Sequence, residues 1–393
     1  MRTYNSTRIA CYAAYVVQSI VNNLSPLFFA IYQKDFSVSY SLISLLVLVN
    51  FFTQLIVDIS STLFIRRLGY RKSICLANLL SAVGLVLLPV LPYLLPPIAG
   101  LMIATVIMAT GSGLIEVLAS PLMENLPTKE KAAEMSMLHS FFCWGQVAVV
   151  ILSTVFLYYI EDWRYLPVLW ATVPIMNLIN FLSVPIVEPP EETSGSIKSL
   201  LHSKTFLLLL TIMACGGACE IAMSQWASLF AEQALKLPKL WGDLLGPCGF
   251  AVFMGSGRML YGFFGKRINI RKALMGCAVL CLLSYALTAL SPLPILSMIG
   301  CMLCGLSVSL MWPGCFSLST QKMHNQGTVM FALLAMGGDM GCSLGPVVAG
   351  MMSDLSLRHQ FPLAGLHFGL LSAMIFPVIL LLGLMMLRKD KTK

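Results

Sequence analysis

The sequence predicts an all-α membrane protein of twelve transmembrane helices in two pseudo-symmetric six-helix halves. Three observations carry that prediction. The chain is 58% hydrophobic and 11% charged, with a mean hydropathy of +0.84, which leaves too little polar surface to cover a soluble globule of 393 residues. Apolar runs near the ~20 residues that a bilayer core demands recur twelve times. A basic heptapeptide pattern also appears twice, 200 positions apart, as Arg66-Arg67-Leu68-Gly69-Tyr70-Arg71-Lys72 and Lys266-Arg267-Ile268-Asn269-Ile270-Arg271-Lys272. Five of its seven positions keep their character, and a parallel repeat of this kind inside a hydrophobic chain is how a two-halved carrier reads.

The runs lie at 9–32, 41–65, 73–93, 97–121, 135–159 and 165–187, then at 205–230, 241–264, 273–291, 294–319, 328–353 and 363–387. Backbone groups in hydrocarbon need internal partners, and runs this long lack the alternation of barrel strands, so each is a helix. Run one carries Tyr15, Gln18, Asn22 and Ser25 at three-and-four spacing, a single stripe with Asn23 beside it. Run two holds Asp58 and ends at the first basic loop. Run four has Ser112, Glu116 and Ser120 at successive fours, flanked by Gly111 and Gly113, and run five places His139, Cys143 and Gln146 on one face. Run seven carries Glu220, Ser224 and Ser228 after Gly216-Gly217, with Gln225 and Trp226 turned away from Glu220 unless the helix unwinds. Run eight contains Gly255, Gly257, Gly262 and Arg258. Run ten offers Ser309, Trp312 and Phe316, interrupted by Pro313. Run eleven lines up Gly337, Gly338, Gly341, Gly345 and Gly350 with Asp339 and Pro346. Its glycines read either as tight packing between the halves or as surfaces that slide during alternating access. Runs three, six, nine and twelve rest on length and hydropathy.

Residues 1–187 and 205–393 form the expected halves, joined by a polar, Pro-, Gly- and Ser-bearing cytoplasmic linker over 188–204. With both termini inside, 19 of the 25 Lys and Arg residues fall in inner loops and 5 in outer ones, Arg258 lying within a span. That asymmetry sets the orientation and absorbs the +8 net charge, so no nucleic-acid partner is implied. The first run is long enough to span and lacks a cleavage site, so it reads as a retained helix rather than a signal peptide. The sequon Asn5-Ser6-Thr7 falls on the inner side, where glycosylation is not expected. The twelve cysteines lie almost wholly within spans, and the pairs Cys301-x-x-Cys304, Cys215 with Cys219 and Cys277 with Cys281 have no liganding His or Asp, so they read as packing residues rather than metal or redox ligands. No cofactor is expected.

Polar side chains inside a membrane are costly, so each needs a reason. Amides and carboxylates read hydroxyl groups, and an indole stacks on the apolar face of a sugar ring. The candidate solute contacts are therefore Gln18, Asn22, Asn23, Glu116, His139, Gln146, Glu220, Gln225, Trp226 and Trp312. The bland alternative for them is hydrogen bonding between helices. Glu116, a carboxylate deep in a helix among small neighbours, is the first candidate to carry a proton, with Glu220 second. Asp58 and Arg258 occupy the same register 200 residues apart. With Asp339 and the loop residues Arg67, Arg71, Arg267 and Arg271 they are the candidate interdomain gating residues. An enzyme would need a nucleophile or metal constellation; His-Glu-x-x-His is absent, and the one match to Gly-x-Ser-x-Gly, Gly341-Cys342-Ser343-Leu344-Gly345, lies inside an apolar run rather than at a strand-to-helix turn.

Twelve helices in two halves with basic loops after the second and eighth resemble the major facilitator superfamily over the whole chain. The first loop is a degraded form of that family's Gly-x-x-x-Asp-Arg-x-Gly-Arg-Lys motif, keeping Arg67, Gly69, Arg71 and Lys72 but with Arg66 at the motif's Asp position. Within the superfamily the chain is similar to the fucose permease type, the fucose-galactose-glucose proton symporters. The residues that carry this are Gly113 to Pro121, Leu138-His139-Ser140-Phe141 to Gly145, Gly257-Arg258 and Gly337 to Gly341. The resemblance implies sugar and proton handling by Glu116 and a polar contribution from His139. The family's Asn-Asp pair in helix one reads Asn22-Asn23 here, without the carboxylate.

The reading is thus a monomeric, multi-pass carrier of the cytoplasmic membrane that moves a small polar solute, a sugar foremost, by alternating access with proton symport. A proton-coupled efflux antiporter of amphiphiles, a uniporter and, more distantly, a transporter-like receptor are the alternatives. The 24 Met and 21 Phe leave the first of these open, and the tail of six residues after Leu387 argues against the last.

Overall fold

The computed structural model describes residues 4–127, 131–160, 162–187, 197–264, 269–323 and 327–387, and among them every regular element is a helix. Eleven of these helices are long and apolar enough to cross a membrane by length and composition. The chain divides into two compact units, residues 1–191 with Pro238–Leu244 and residues 192–237 with 245–393.

The main helices of the first unit are α1 (Tyr4–Leu24), α2 (Tyr40–Leu68), α3 (Tyr70–Leu87), α4 (Pro97–Glu124), α5 (Lys131–Tyr159) and α6 (Thr172–Ser183). Local chemistry sets several of their ends. The Ser39 hydroxyl accepts the Leu42 N–H at 3.3 Å to start α2. Gly69, at φ +78°, makes the break between α2 and α3 inside the first basic heptapeptide. Helix α1 continues through a 3-10 turn at Ser25–Phe28 and a short helix at Phe29–Phe36, the turn set by Pro26. Lipid tails are as apolar as the side chains, so close packing and interhelical hydrogen bonds, rather than apolar burial, hold such helices together. At one end of α1, Arg8 Nη2 pairs with Glu134 Oε1 of α5 at 3.0 Å. The Tyr12 hydroxyl donates to the other oxygen of that carboxylate at 2.7 Å, and its ring stacks on Phe141.

The second unit contains α7 (Lys204–Leu229), α8 (Gly249–Phe264), α9 (Ile270–Leu290), α10 (Pro294–Val308), α11 (Gly327–Arg358) and α12 (Ile375–Met386). Helix α10 is followed after a break at Ser309-Leu310 by the helix Met311–Lys322. The packing repeats that of the first unit. There α1 meets α4, α5 and α6, α2 meets α4, and α3 meets α4 and α6; here α7 meets α10, α11 and α12, α8 meets α10, and α9 meets α10 and α12.

The run expected at 241–264 is not one uninterrupted helix. Lys239–Asp243 is helical, a π turn containing Pro247 follows at Leu244–Cys248, and α8 begins at Gly249. Proline supplies no N–H to the ladder and displaces the carbonyl a turn behind it, which widens the turn.

The segment 238–244 belongs with the first unit, although it follows the linker in the chain. Asp243 is fully buried, accepts from the Thr154 hydroxyl of α5 at 2.9 Å and pairs with Lys239 at 3.3 Å. Lys239 also donates to the Leu27 carbonyl at 2.8 Å.

Three glycines of α11 face α7 within the second unit. A Cβ at Gly341 would overlap the Ala214 carbonyl, one at Gly345 would lie 2.5 Å from the Ala218 carbonyl, and one at Gly337 would lie 2.5 Å from Leu210. Positions 337, 341 and 345 share one stripe, and their bare backbone is what lets α11 lie against α7.

Candidate functional site

The two polar stripes expected on runs one and four face each other in antiparallel register. Three rungs cross from α1 to α4. The Tyr15 and Ser120 hydroxyls share a hydrogen bond at 2.7 Å, and the Gln18 amide donates to Glu116 Oε2 at 2.7 Å. One turn further, Asn22 Oδ1 accepts from Gln54 Nε2 at 3.0 Å and from Asn50 Nδ2 at 3.1 Å. Gln54 Oε1 in turn accepts from the Ser112 hydroxyl at 3.2 Å. Helix α2 thus completes the third rung. Gly113 permits this approach, since a Cβ there would meet the Gln54 backbone at 3.0 Å, and one at Gly111 would lie 2.5 Å from the Ala77 carbonyl of α3.

Gln18, Asn22, Asn50, Gln54 and Ser112 are buried, whereas Glu116 and Ser120 are half-buried. The middle rung is a charge-assisted geometry, an amide N–H on a carboxylate oxygen at short distance. Two acceptors of the ladder, Gln18 Oε1 and Asn50 Oδ1, are buried without a hydrogen-bond partner. Buried carbonyl oxygens without donors are uncommon and call for a reason.

The other candidates of this unit lie around the ladder. His139 is exposed and meets the Tyr15 ring edge-on, with centroids 5.3 Å apart. Gln146 is buried on α5. Asn23 turns back to its own helix, donating to the Ser19 carbonyl at 3.0 Å, and is not a rung. Asn50 and Gln54 were not among the candidates, although two amides one turn apart within run two were the signal for them.

In the second unit Glu220 of α7 and Arg258 of α8 form an ion pair with N and O atoms 3.6 Å apart. That is close enough for Coulomb attraction but long for a hydrogen bond. Arg258, expected as a gating residue, therefore meets the second candidate proton carrier within its own unit. Gln225 is buried. Trp226 is fully buried and its indole N–H donates to the Pro346 carbonyl at 3.1 Å. The sequence offered this indole as a solute contact, and here neighbouring side chains enclose it. Trp312 is half-buried and lies against Gly338, where a Cβ would come within 2.5 Å of the ring. Asp339 is buried beside it in the sequence.

The basic heptapeptides close helix ends. Arg71 donates to the carbonyls of Phe181 at 2.7 Å and Val184 at 2.9 Å, at the end of α6. Arg271 donates to Leu384 at 3.0 and 2.8 Å and to Met385 at 3.2 Å, at the end of α12. Donor and acceptor are both displaced by 200 residues, as Arg71 with Val184 and Arg271 with Leu384 show. These guanidinium groups satisfy last-turn carbonyls that have no intrahelical partner and complement the helix dipole. Each of these hydrogen bonds lies inside its own unit. Arg67 is exposed and Asp58 is half-buried. Arg267 lies outside the described residues. Among the described residues, no group of three or more His, Cys, Asp or Glu side chains is placed to hold a metal ion.

The family model of the Major Facilitator Superfamily matches residues 11–346. The chain belongs to this superfamily. Solved structures of other transporters share its fold at low identity. A D-xylose–proton symporter aligns with a TM-score of 0.79 at 14% identity, covering 97% of this chain and 96% of that one. The E. coli fucose:proton symporter aligns at 0.66 and 15%, covering 99% and 100%. A nucleoside transporter aligns at 0.80 and 12%, covering 98% and 99%. No curated protein sequence matches the chain significantly. As a superfamily member with eleven membrane-compatible helices, it is a multi-pass membrane protein of a transporter family.

Proposed function

We propose that this superfamily member is a secondary transporter that carries a sugar across the cytoplasmic membrane by alternating access, coupled to proton symport through Glu116. In this reading α8 and the turn before it complete a twelfth span, both termini are cytoplasmic, and the protein acts as a monomer. The observation that carries the proposal is the middle rung, a half-buried carboxylate that accepts from the Gln18 amide at 2.7 Å within a ladder of hydroxyls and amides. A carboxylate among hydroxyl and amide neighbours can gain or lose a proton while keeping hydrogen-bonding partners around it. Hydroxyl and amide partners are suited to a neutral polyhydroxylated solute. The fold shared with sugar–proton symporters is in keeping with this. Glu220, paired with Arg258, serves in a supporting role.

The second reading, facilitated diffusion, is favoured by one observation. Helix α1 carries Asn22-Asn23, and Asn23 is bound to its own backbone, so α1 supplies no titrating carboxylate. Uptake of labelled monosaccharides into proteoliposomes with and without an inward proton gradient separates the two. Gradient-driven accumulation abolished in Glu116→Gln is the expected result. Equilibration indifferent to the gradient selects the uniporter, and no sugar uptake at all rejects the sugar reading.

A further inference from the structure

We infer that Gln18 is an amide whose orientation reports the protonation of Glu116, and that this selects hydroxyl groups as the solute chemistry that remains bound through the cycle. The inference concerns the site of the proposed transport reading and extends it to recognition. Three observations support it. Gln18 Nε2 faces Glu116 Oε2 at 2.7 Å, the opposite end of the same amide, Oε1, is buried without a partner, and the side chain is only 5% exposed.

With Glu116 ionised, the carboxylate only accepts, so the NH2 group of Gln18 must face it and Oε1 must face away. In that state the site offers the solute an acceptor and needs a donor from it. With Glu116 protonated, its O–H becomes a donor and is satisfied by Gln18 Oε1 once the amide turns over. The NH2 group then faces away and needs an acceptor. A hydroxyl group can serve in both states because it donates and accepts. An ammonium group can only donate, and an ether or carboxylate can only accept, so each loses its partner in one of the two states.

The flanking rungs fix the frame in which this turn occurs. Tyr15 is bound to Ser120, and Asn22 Oδ1 accepts two amide N–H groups. The titratable side chains that the elements packed on α4 carry around this level are Tyr15 and Cys11 of α1, His139 and Cys143 of α5, and Asp58 of α2. Helix α3 contributes the Cys75 thiol, packed against the same cluster as Ile115 and Ala119, together with Asn78 and Ser81, which do not titrate.

The experiment is infrared difference spectroscopy of the reconstituted full-length protein, without solute, across a pH titration. Glutamine carbonyls are labelled with carbon-13. The carboxyl band is assigned by its loss in Glu116→Gln and the amide band by its loss in Gln18→Met. The expected result is a shift of the Gln18 amide band with the same pH midpoint as the appearance of the protonated Glu116 band. A Glu116 band with no matching amide shift, or no titrating Glu116 band, overturns the inference. Because no solute is present, this outcome is independent of whether sugars are carried. For any sugar that binds, replacing the recognised hydroxyl with fluorine should weaken binding about 3- to 10-fold when Glu116 is ionised. It should weaken binding less when Glu116 is protonated, and that pH dependence should vanish in Gln18→Met. A ratio independent of pH in the unmodified protein would overturn the recognition half of the inference.

Discussion

Replacing Arg71 or Arg271 with alanine should destabilise the protein by similar amounts, because the two side chains do the same work 200 residues apart. Arg71 makes two charge-assisted hydrogen bonds, at 2.7 and 2.9 Å. A net hydrogen bond to a charged group contributes about 1.5–3 kcal/mol when buried, and a cation at a helix C-terminus adds about 0.3–1 kcal/mol. Arg71 is half-buried, so water replaces part of what is lost, and the expected cost of Arg71→Ala is about 2–4 kcal/mol. Arg271 should fall in the same range, since its three bonds all go to carbonyls at the end of α12. Lysine keeps the charge but not the fork, so Arg71→Lys should recover about half of the loss. The two sites share no partner, so the double variant should be additive within about 0.5 kcal/mol. The assay is reversible unfolding in mixed detergent micelles, read by tryptophan fluorescence and circular dichroism. An Arg71→Ala protein within 0.5 kcal/mol of the unmodified one would refute the argument that the repeated heptapeptides act as helix closures.

Three further outcomes follow from the packing and the ladder. Gly341→Leu should prevent α11 from lying against α7, because even a Cβ overlaps the Ala214 carbonyl; the measurement is the yield of monodisperse protein in size exclusion, expected to collapse while the exposed-site control Met340→Leu behaves normally. Asp243→Asn should loosen the segment 238–244 by about 2 kcal/mol, since Lys239 loses its buried counter-charge. Hydrogen exchange localised to that segment should rise at least about tenfold. Gln54→Leu leaves Asn22 and Ser112 without the partner that joins them and should cost about 2–3 kcal/mol in the same micelle assay, with Gln54→Asn costing less if its shorter amide still reaches one of them.

Much of the architecture was legible because its signals are local. Hydropathic run length exposes membrane helices but not their interruptions, such as the π turn with Pro247 in the eighth run and the break at Ser309-Leu310 in the tenth. The two stripes that build the ladder were visible as spacing, since Tyr15, Gln18 and Asn22 on one helix and Ser112, Glu116 and Ser120 on another each repeat by three or four residues. Their pairing was not visible, because it depends on the antiparallel register of two helices roughly a hundred residues apart in the chain. The third rung shows the same limit, as Gln54 lies on a helix whose polar residues look incidental until Asn22 and Ser112 are placed on either side of it. Arg71 and Arg271 stand in the sequence as loop cations, and the backbone carbonyls they bind carry no sequence signature. The glycines of α11 announced a close approach but not the partner, which is α7 of the same unit.

The central claim is that Glu116 couples protons to solute movement, and proton-driven uptake tests it most directly. Proteoliposomes are loaded at one pH and diluted into another, with labelled monosaccharide outside, for the unmodified protein and Glu116→Gln side by side. The account predicts accumulation above equilibrium that depends on the gradient in the first. In the second it predicts exchange of sugar without accumulation. Gradient-driven accumulation that survives in Glu116→Gln would contradict it.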